Sequence, residues 1–188
     1  MAVISATAGQ LDTTAAYRYS IGYNTNANGT GGTATIQGAL VKVTSGTTKG
    51  IDLTNIPLGN SSQSSRVIYR TKGAATTLEM VHILGDNTTT SWTDTAADDG
   101  TINSAADAGG GLVRFTCAAT HGLQVNDRVT IAGTTNYNAS YTIIAINADN
   151  KTFDVTATWV SNQSGTWEIG ENMGTVTDDV PIGQYLYI

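Results

Sequence analysis

Apolar and polar positions alternate along most of the chain with a period of two, the signature of half-buried β-strands. In Ala16-Tyr17-Arg18-Tyr19-Ser20-Ile21-Gly22-Tyr23, the side chains of Tyr17, Tyr19, Ile21 and Tyr23 fall on one face of an extended segment. Residues 33–43 are Thr-rich and alternating, and offer Ile36, Leu40 and Val41 to a core. Residues 50–56 turn Ile51 and Leu53 inward before Pro57 stops the run. Residues 66–71 and 78–84 predict two longer strands, and 91–94 a short closing one. Turn-forming residues cluster at 26–32, 45–49, 59–65 and 85–88. Short strands at this spacing predict a β-sandwich over residues 1–100. No sustained apolar pattern at helical spacing interrupts them.

Residues 95–111 are rich in Ala, Asp, Gly and Asn, with Asp98-Asp99-Gly100 and Gly109-Gly110-Gly111 at the ends. This composition predicts a linker with turns at both ends, its bounds set at 101–111 between the two units. Five further strand-like segments follow, at 112–117, 128–131, 141–146, 152–156 and 165–169. An open sheet of that size would leave exposed edges, so residues 112–170 are expected to close into a small barrel. Val129, Ile131, Tyr141, Ile143, Phe153, Val155 and Trp167 would fill it. Residues 171–188 form an arm ending Pro181-Ile-Gly-Gln-Tyr-Leu-Tyr-Ile. Large apolar side chains at a chain end either complete a sheet of this chain or add a strand to a neighbour. Ile182, Tyr185, Leu186, Tyr187 and Ile188 are therefore the candidate assembly contacts.

Composition narrows the function. Of 188 residues, 13% are charged, about half the usual ~25%. The net charge of −6 comes with nine scattered basic residues, no two adjacent, which argues against nucleic acid as a partner. No apolar run reaches the ~18 residues of a membrane span. The segment from Met1, taken as the start of a complete reading frame, has no basic stretch of the kind that opens a secretory signal. Cys117, the single cysteine, alternates with Val113 and Phe115 and is expected to be a buried, inert thiol.

Two stretches resemble known modules. Tyr17-Arg-Tyr-Ser-Ile-Gly-Tyr, Ile51-Asp-Leu-Thr-Asn-Ile-Pro, Arg66-Val-Ile-Tyr-Arg-Thr and Gly85-Asp-Asn-Thr-Thr-Thr-Ser-Trp-Thr-Asp-Thr resemble, in order, a fibronectin type III-like module of bacteriophage tail and fibre proteins. Thr120-His-Gly-Leu-Gln-Val-Asn-Asp-Arg-Val-Thr-Ile is similar to the small, SH3-like barrel described as like the first catalytic cysteine half-domain of ubiquitin-activating enzymes. That barrel serves as a structural insert in phage virion proteins, and its name implies no catalysis. Asn126 stands where the barrel's usual pattern has glycine, and Asn tolerates the left-handed conformation such a turn requires.

The resemblance implies an all-β chain: a fibronectin III/Ig-like sandwich, then the barrel, then an extended arm. It implies a virion structural protein, assembled in the bacterial host cytoplasm and tail- or fibre-associated, with head decoration as the alternative. Its partners would be further copies of itself and other virion proteins.

Candidate chemistry is sparse. His82 lies in an apolar strand alternating with Met80 and Leu84, as a sheet-face residue without a catalytic partner. His121 precedes Gly122 in a tight turn, where its ring is expected to bond nearby backbone. Asp94, Asp98, Asp99, Asp178 and Asp179 fall in turn- or linker-like sequence, where Asp is favoured as a solvated turn-former. A loose Ca²⁺ site at Asp94, Asp98 and Asp99 is the lesser reading, without EF-hand spacing. Gly29-Thr30-Gly31-Gly32 lacks the Lys-Ser/Thr ending of a phosphate loop. No catalytic, cofactor or metal set is assigned.

Aromatic platforms keep a glycan-binding reading open, with a host surface glycan as partner. Trp92, Trp159, Trp167, Tyr137 and Tyr141 are the candidates. Trp167 is expected in the core, and Trp159, beside a loop, is the candidate surface contact. The linker reading makes one testable statement: limited proteolysis should cut first within residues 95–111.

Overall fold

A computed structural model of the chain describes residues 2–24, 33–37, 41–42, 49–73 and 75–171. Among these the regular structure is all β. The strands are β1 (Ala2–Ile4), β2 (Ala16–Tyr17), β3 (Tyr19–Asn24), β4 (Thr33–Gln37), β5 (Val41–Lys42), β6 (Ile51–Thr54), β7 (Ser65–Thr71) and β8 (Leu78–Leu84). They continue as β9 (Ser91–Asp94), β10 (Asp99–Gly109), β11 (Leu112–Cys117), β12 (Arg128–Ala132), β13 (Ala139–Ile146), β14 (Thr152–Thr156) and β15 (Gly165–Ile169). Each segment marked by alternation contains a strand; β1 and β10 are additions.

A four-stranded antiparallel sheet, β4-β3-β7-β8, and a three-stranded one, β1-β6-β9, share a core. Ile68 and Val81 of the first meet Ile51, Leu53 and Trp92 of the second in one apolar cluster. A two-stranded pair, β2-β5, lies beside them in sequence. The bulge in β8 sets its inward face. Register shifts by one at Val81, so Val81 and His82 both turn to the shared core while Met80 joins a separate cluster with Val67 and Tyr69. The simple alternation that put His82 on one face with Met80 is corrected by that extra residue.

The barrel is closed by six strands in the order β10-β11-β14-β13-β12-β15, with β15 returning to β10. The sixth strand is the segment expected to be a linker. Residues 99–109 are its longest strand, hydrogen-bonded to β11 on one side and β15 on the other. Composition misled because Ala, Asp, Asn and Gly are poor strand formers in isolation. Strand preference is set largely by neighbours, and two unpaired edges, of β11 and β15, supply the ladder. β10 buries only Ile102 and Ala105 among its apolar residues, so little apolar pattern survives in its sequence. The expected turn at Gly109-Gly110-Gly111 is present, and all three glycines have positive φ.

Val129, Ile131, Ile143, Phe153, Val155 and Trp167 fill the barrel as expected. Tyr141 is only partly buried, whereas Tyr137 is enclosed against Phe115, edge to face at 5.5 Å between centroids. Gly100 is fixed by Trp167: a methyl group there would stand 2.5 Å from the indole nitrogen.

Two outcomes follow. Limited proteolysis should spare residues 99–109, because a protease cannot engage backbone paired on both sides; an early cut there, mapped by mass spectrometry, would contradict the closed barrel. Gly100→Ala should cost about 1–3 kcal/mol in urea unfolding through overpacking against Trp167.

Candidate functional site

The sequence Arg66-Val-Ile-Tyr-Arg-Thr places Arg66 and Arg70 on the same face of β7 as Ile68, the face that looks into the core. Both arginines are fully buried. A guanidinium cannot be left unpaired there, so the surrounding segments must supply acceptors.

Arg66 collects loop carbonyls. It donates to Pro57 O at 3.1 Å, Thr89 O at 2.5 Å and Asp86 O at 3.4 Å, and pairs with the Asp86 carboxylate at 3.3 Å. The same Asp86 carboxylate accepts the backbone N–H groups of Thr88 and Thr89, which holds it below the usual carboxylate range. Asn87 completes the turn by accepting from Gly59 N and donating to Gly59 O. The run Asp86-Asn-Thr-Thr is thus a turn built around an arginine from the neighbouring strand.

Arg70 sits between two carboxylates. It donates to Asp94 Oδ2 at 2.7 Å and Asp98 Oδ1 at 2.6 Å, and to Ala96 O at 3.2 Å between them. Tyr19 donates its hydroxyl to Asp94 Oδ2 at 2.7 Å, and Tyr17 donates to Asp98 Oδ2 at 3.2 Å. The Tyr17 ring also stands under the guanidinium, 5.0 Å from its carbon to the centroid. Burial alone would depress Arg70, but Asp94, Tyr19 and Asp98 beside it keep it raised and charged. Burial raises Tyr19 well above its ordinary value, and the adjacent Asp94 adds to the effect. Burial also raises Asp98, against the pull of Arg70.

Asp94 is therefore fully buried and Asp98 mostly so, rather than solvated turn residues; Asp99 alone of the three is exposed. Their carboxylates are spent on Arg70 and the two tyrosines, which leaves no loose calcium site. Among the described residues no group of three or more His, Cys, Asp and Glu is placed to hold a metal ion.

The Asp94–Asp98 segment is the passage from the paired sheets into the barrel, and the barrel's Thr120–Asp127 stretch packs against it. Ala97 N donates to His121 O at 2.9 Å, Thr95 Oγ1 to Gly122 O at 2.6 Å, and Gln124 Nε2 to Thr93 O at 2.6 Å. Gly122 has φ +69°, and a Cβ there would lie 2.0 Å from Thr95 O, so both conformation and space demand glycine. Asn126 has φ +73°, the left-handed conformation expected of it.

Asp127, fully buried, accepts from Gln124 N at 2.7 Å with one oxygen. Its other oxygen is 2.6 Å from His82 Nδ1 of β8, and burial raises its pKa. The His82 ring stacks on Trp92 at 4.6 Å between centroids. His82 therefore has a carboxylate partner after all, supplied by the other unit, where strand alternation alone cannot show it. Ile83 N donates to Asn126 O, and Met80 and Glu171 exchange both backbone hydrogen bonds, so the outer edge of β8 is stitched to the barrel at two levels. Lys72 bridges Glu79 and Glu168, and Arg128 pairs with Glu171, along the same seam.

The remaining sequence candidates are dispersed. His121 is buried; its Nδ1 accepts from Leu123 N at 3.0 Å, and burial pushes its pKa down to about 4. Cys117 is buried, and burial pushes its thiol up to about 12. Trp92, Trp167 and Tyr137 are buried and provide no stacking platform. The Tyr137 hydroxyl instead holds the β14–β15 loop by accepting from Val160 N and Ser161 N. Trp159, in that loop, packs partly against the core, and its neighbour Val160 is 57% exposed. Ile182, Tyr185, Leu186, Tyr187 and Ile188, like Asp178 and Asp179, lie outside the described residues.

The sequence reading missed three groups: Arg70 with Tyr17 and Tyr19, Arg66 with its turn, and Asp127 with His82. One signal for the first two was present: two arginines sharing a strand face with Ile68 require buried acceptors from elsewhere. No protein-family model matches the chain, and no curated protein or solved structure matches it.

Arg70→Met should destabilise the protein by about 3–5 kcal/mol in urea unfolding, because Asp94 stays buried without its cation. Adding Asp94→Asn should recover part of that loss. The pH dependence has a definite sign at His121. Below about pH 6.5 the unfolded chain takes up a proton at this residue, and the folded protein does not until about pH 4. Its contribution to stability is therefore lost as pH falls through that window. His121→Gln should flatten the slope of unfolding midpoint against pH between those values.

Proposed function

We propose that this chain is a structural protein of a bacteriophage virion, associated with a tail or fibre, acting through protein–protein assembly rather than catalysis. The observation that carries the reading is the seam. Two β-units that a flexible linker would let swing are joined by a buried ionic cluster, a cross-unit His82–Asp127 pair and backbone bonds at two levels along the outer edge of β8. A chain built this way transmits position and load between neighbours, which suits a particle component.

The motifs support it further. In the stretches that resemble phage modules, Arg66, Arg70, Asp86, Asp94, Gly122 and Asp127 each hold the fold or the seam. Two sheets of three and four strands around one core fit the sandwich that the resemblance implies. A second reading, a glycan- or receptor-binding module, rests on the β14–β15 loop. That loop is fixed by Tyr137, Gln163 and Asn162 while presenting Val160 and part of Trp159.

Light scattering coupled to size exclusion, over a range of concentrations, tests the assembly reading. A defined trimer, hexamer or larger ring is the expected outcome. A monomer at every concentration, with glycan binding abolished by Trp159→Ala, would replace it with the second reading.

A further inference from the structure

Neighbouring barrel strands all run antiparallel, so their connections sort to two ends. Entry at Asp99, exit at Ile169 and the Thr120–Asp127 stretch lie at the seam. The β10–β11, β12–β13 and β14–β15 connections lie at the far end. β14 and β15 are not neighbours in the barrel, so their connection crosses its mouth. Loops on a rigid scaffold are where binding side chains ordinarily sit.

Two of these connections are free of charge. No Asp, Glu, Lys, Arg or His stands between Arg128 and Asp149, or between Asp154 and Glu168. The exposed acid at this end is Asp107 of β10, whose carboxylate accepts from Gly109 N. Thr135, Asn136, Asn138, Val160, Ser161 and Asn162 are exposed, and Trp159 is partly so.

The same two connections are braced against each other. Gln163 Oε1 accepts from Thr135 N at 2.7 Å and Asn136 N at 3.0 Å. The Tyr137 hydroxyl donates to Ser161 O at 3.1 Å while accepting from Val160 N and Ser161 N. Asn162 Oδ1 accepts from Ala105 N at 3.0 Å, which ties the crossing loop to β10. These bonds use the Asn136 backbone and one Asn162 oxygen, and leave the Asn136 carboxamide and Asn162 Nδ2 available to a ligand.

We propose that the far end of the barrel binds an uncharged glycan, a sugar ring lying on Trp159 and its hydroxyls bonded by Asn136 and Asn162. The assignment rests on the glycan-binding reading of this loop and adds the second loop and the ligand class. An indole offers an apolar face to the C–H side of a sugar, and carboxamides both donate to and accept from hydroxyls. Acidic glycans and nucleic acids call for cations, and these loops supply none. A second protein copy fits less well, because interface cores are more apolar and Val160 is the only exposed large aliphatic among the described residues of these loops. Bracing the loops beforehand lowers the entropy cost of binding.

The full chain, fluorescently labelled, would be applied to an array of neutral glucose, galactose and N-acetylglucosamine oligosaccharides, with sialylated and sulfated counterparts as the acidic arm. Binding should be confined to the neutral members. Trp159→Ala should weaken it about tenfold and Asn136→Ala about fivefold, as truncation of a stacking or hydrogen-bonding contact does. Trp159→Phe should restore most of the loss, which separates stacking from misfolding. Binding of acidic members alone, or binding that none of these variants changes, would overturn this site and leave a glycan-binding module standing. Silence across the whole array would sink both. Self-association of the full chain weakened by Trp159→Ala, with no sugar bound, would overturn the proposal in favour of a contact between copies.

Discussion

The Arg70 guanidinium is the point on which the rest of the fold depends. A buried cation is tolerable only when it is paired, and Arg70 is paired by groups far apart in the chain, with its Nε left without a hydrogen-bond partner among the described residues. Asp94 closes β9, Ala96 and Asp98 form the passage into the barrel, and Tyr17 and Tyr19 come from β2 and β3. Without Arg70 the fully buried Asp94 carboxylate loses its cation. The cluster therefore couples three events: closing the paired sheets, directing the chain outward at residues 95–98, and starting the first barrel strand at Asp99. Buried ion networks of this kind are weak evidence for stability in themselves, but a missing partner is expensive, and that makes the geometry cooperative.

The seam has the same logic at a second place. Asp127 could have been a local turn-former only, accepting from Gln124 N. Its second oxygen reaches His82, and His82 in turn lies on Trp92 of the facing sheet. A contact running from the barrel turn through β8 into the core of the paired sheets resists hinge motion between the two units. Gly122 allows the barrel turn to approach Thr95 closely enough for the Thr95 hydroxyl to donate to Gly122 O. Rigidity is thus built from short polar contacts beside an apolar cluster that runs through both units, in keeping with a chain of few charges that places several of them where they hold the fold.

What could be read from the sequence alone follows from locality. Strand positions at Tyr19–Asn24, Ile51–Thr54 and Leu112–Cys117 were legible because one face of each is apolar and the alternation survives. The buried thiol at Cys117, the turn conformation at Asn126 and the core place of Trp167 follow from the same local patterns. β10 was not legible, because a strand held by two neighbours needs no propensity of its own, and only Ile102 and Ala105 face the core. Asp94 and Asp98 looked like solvated turn residues, since nothing near them in sequence announces the arginine, some 24 and 28 residues earlier, that buries them.

The sequence by itself determined the all-β character, most of the strands, and the turns between them, because each rests on residues within a few positions of one another. Tertiary structure decided barrel closure, the pairing of His82 with Asp127, and the burial of Arg66 and Arg70. Those depend on which distant segments meet, and a buried charge or an unpaired strand edge is resolved only when its partner arrives from another part of the chain.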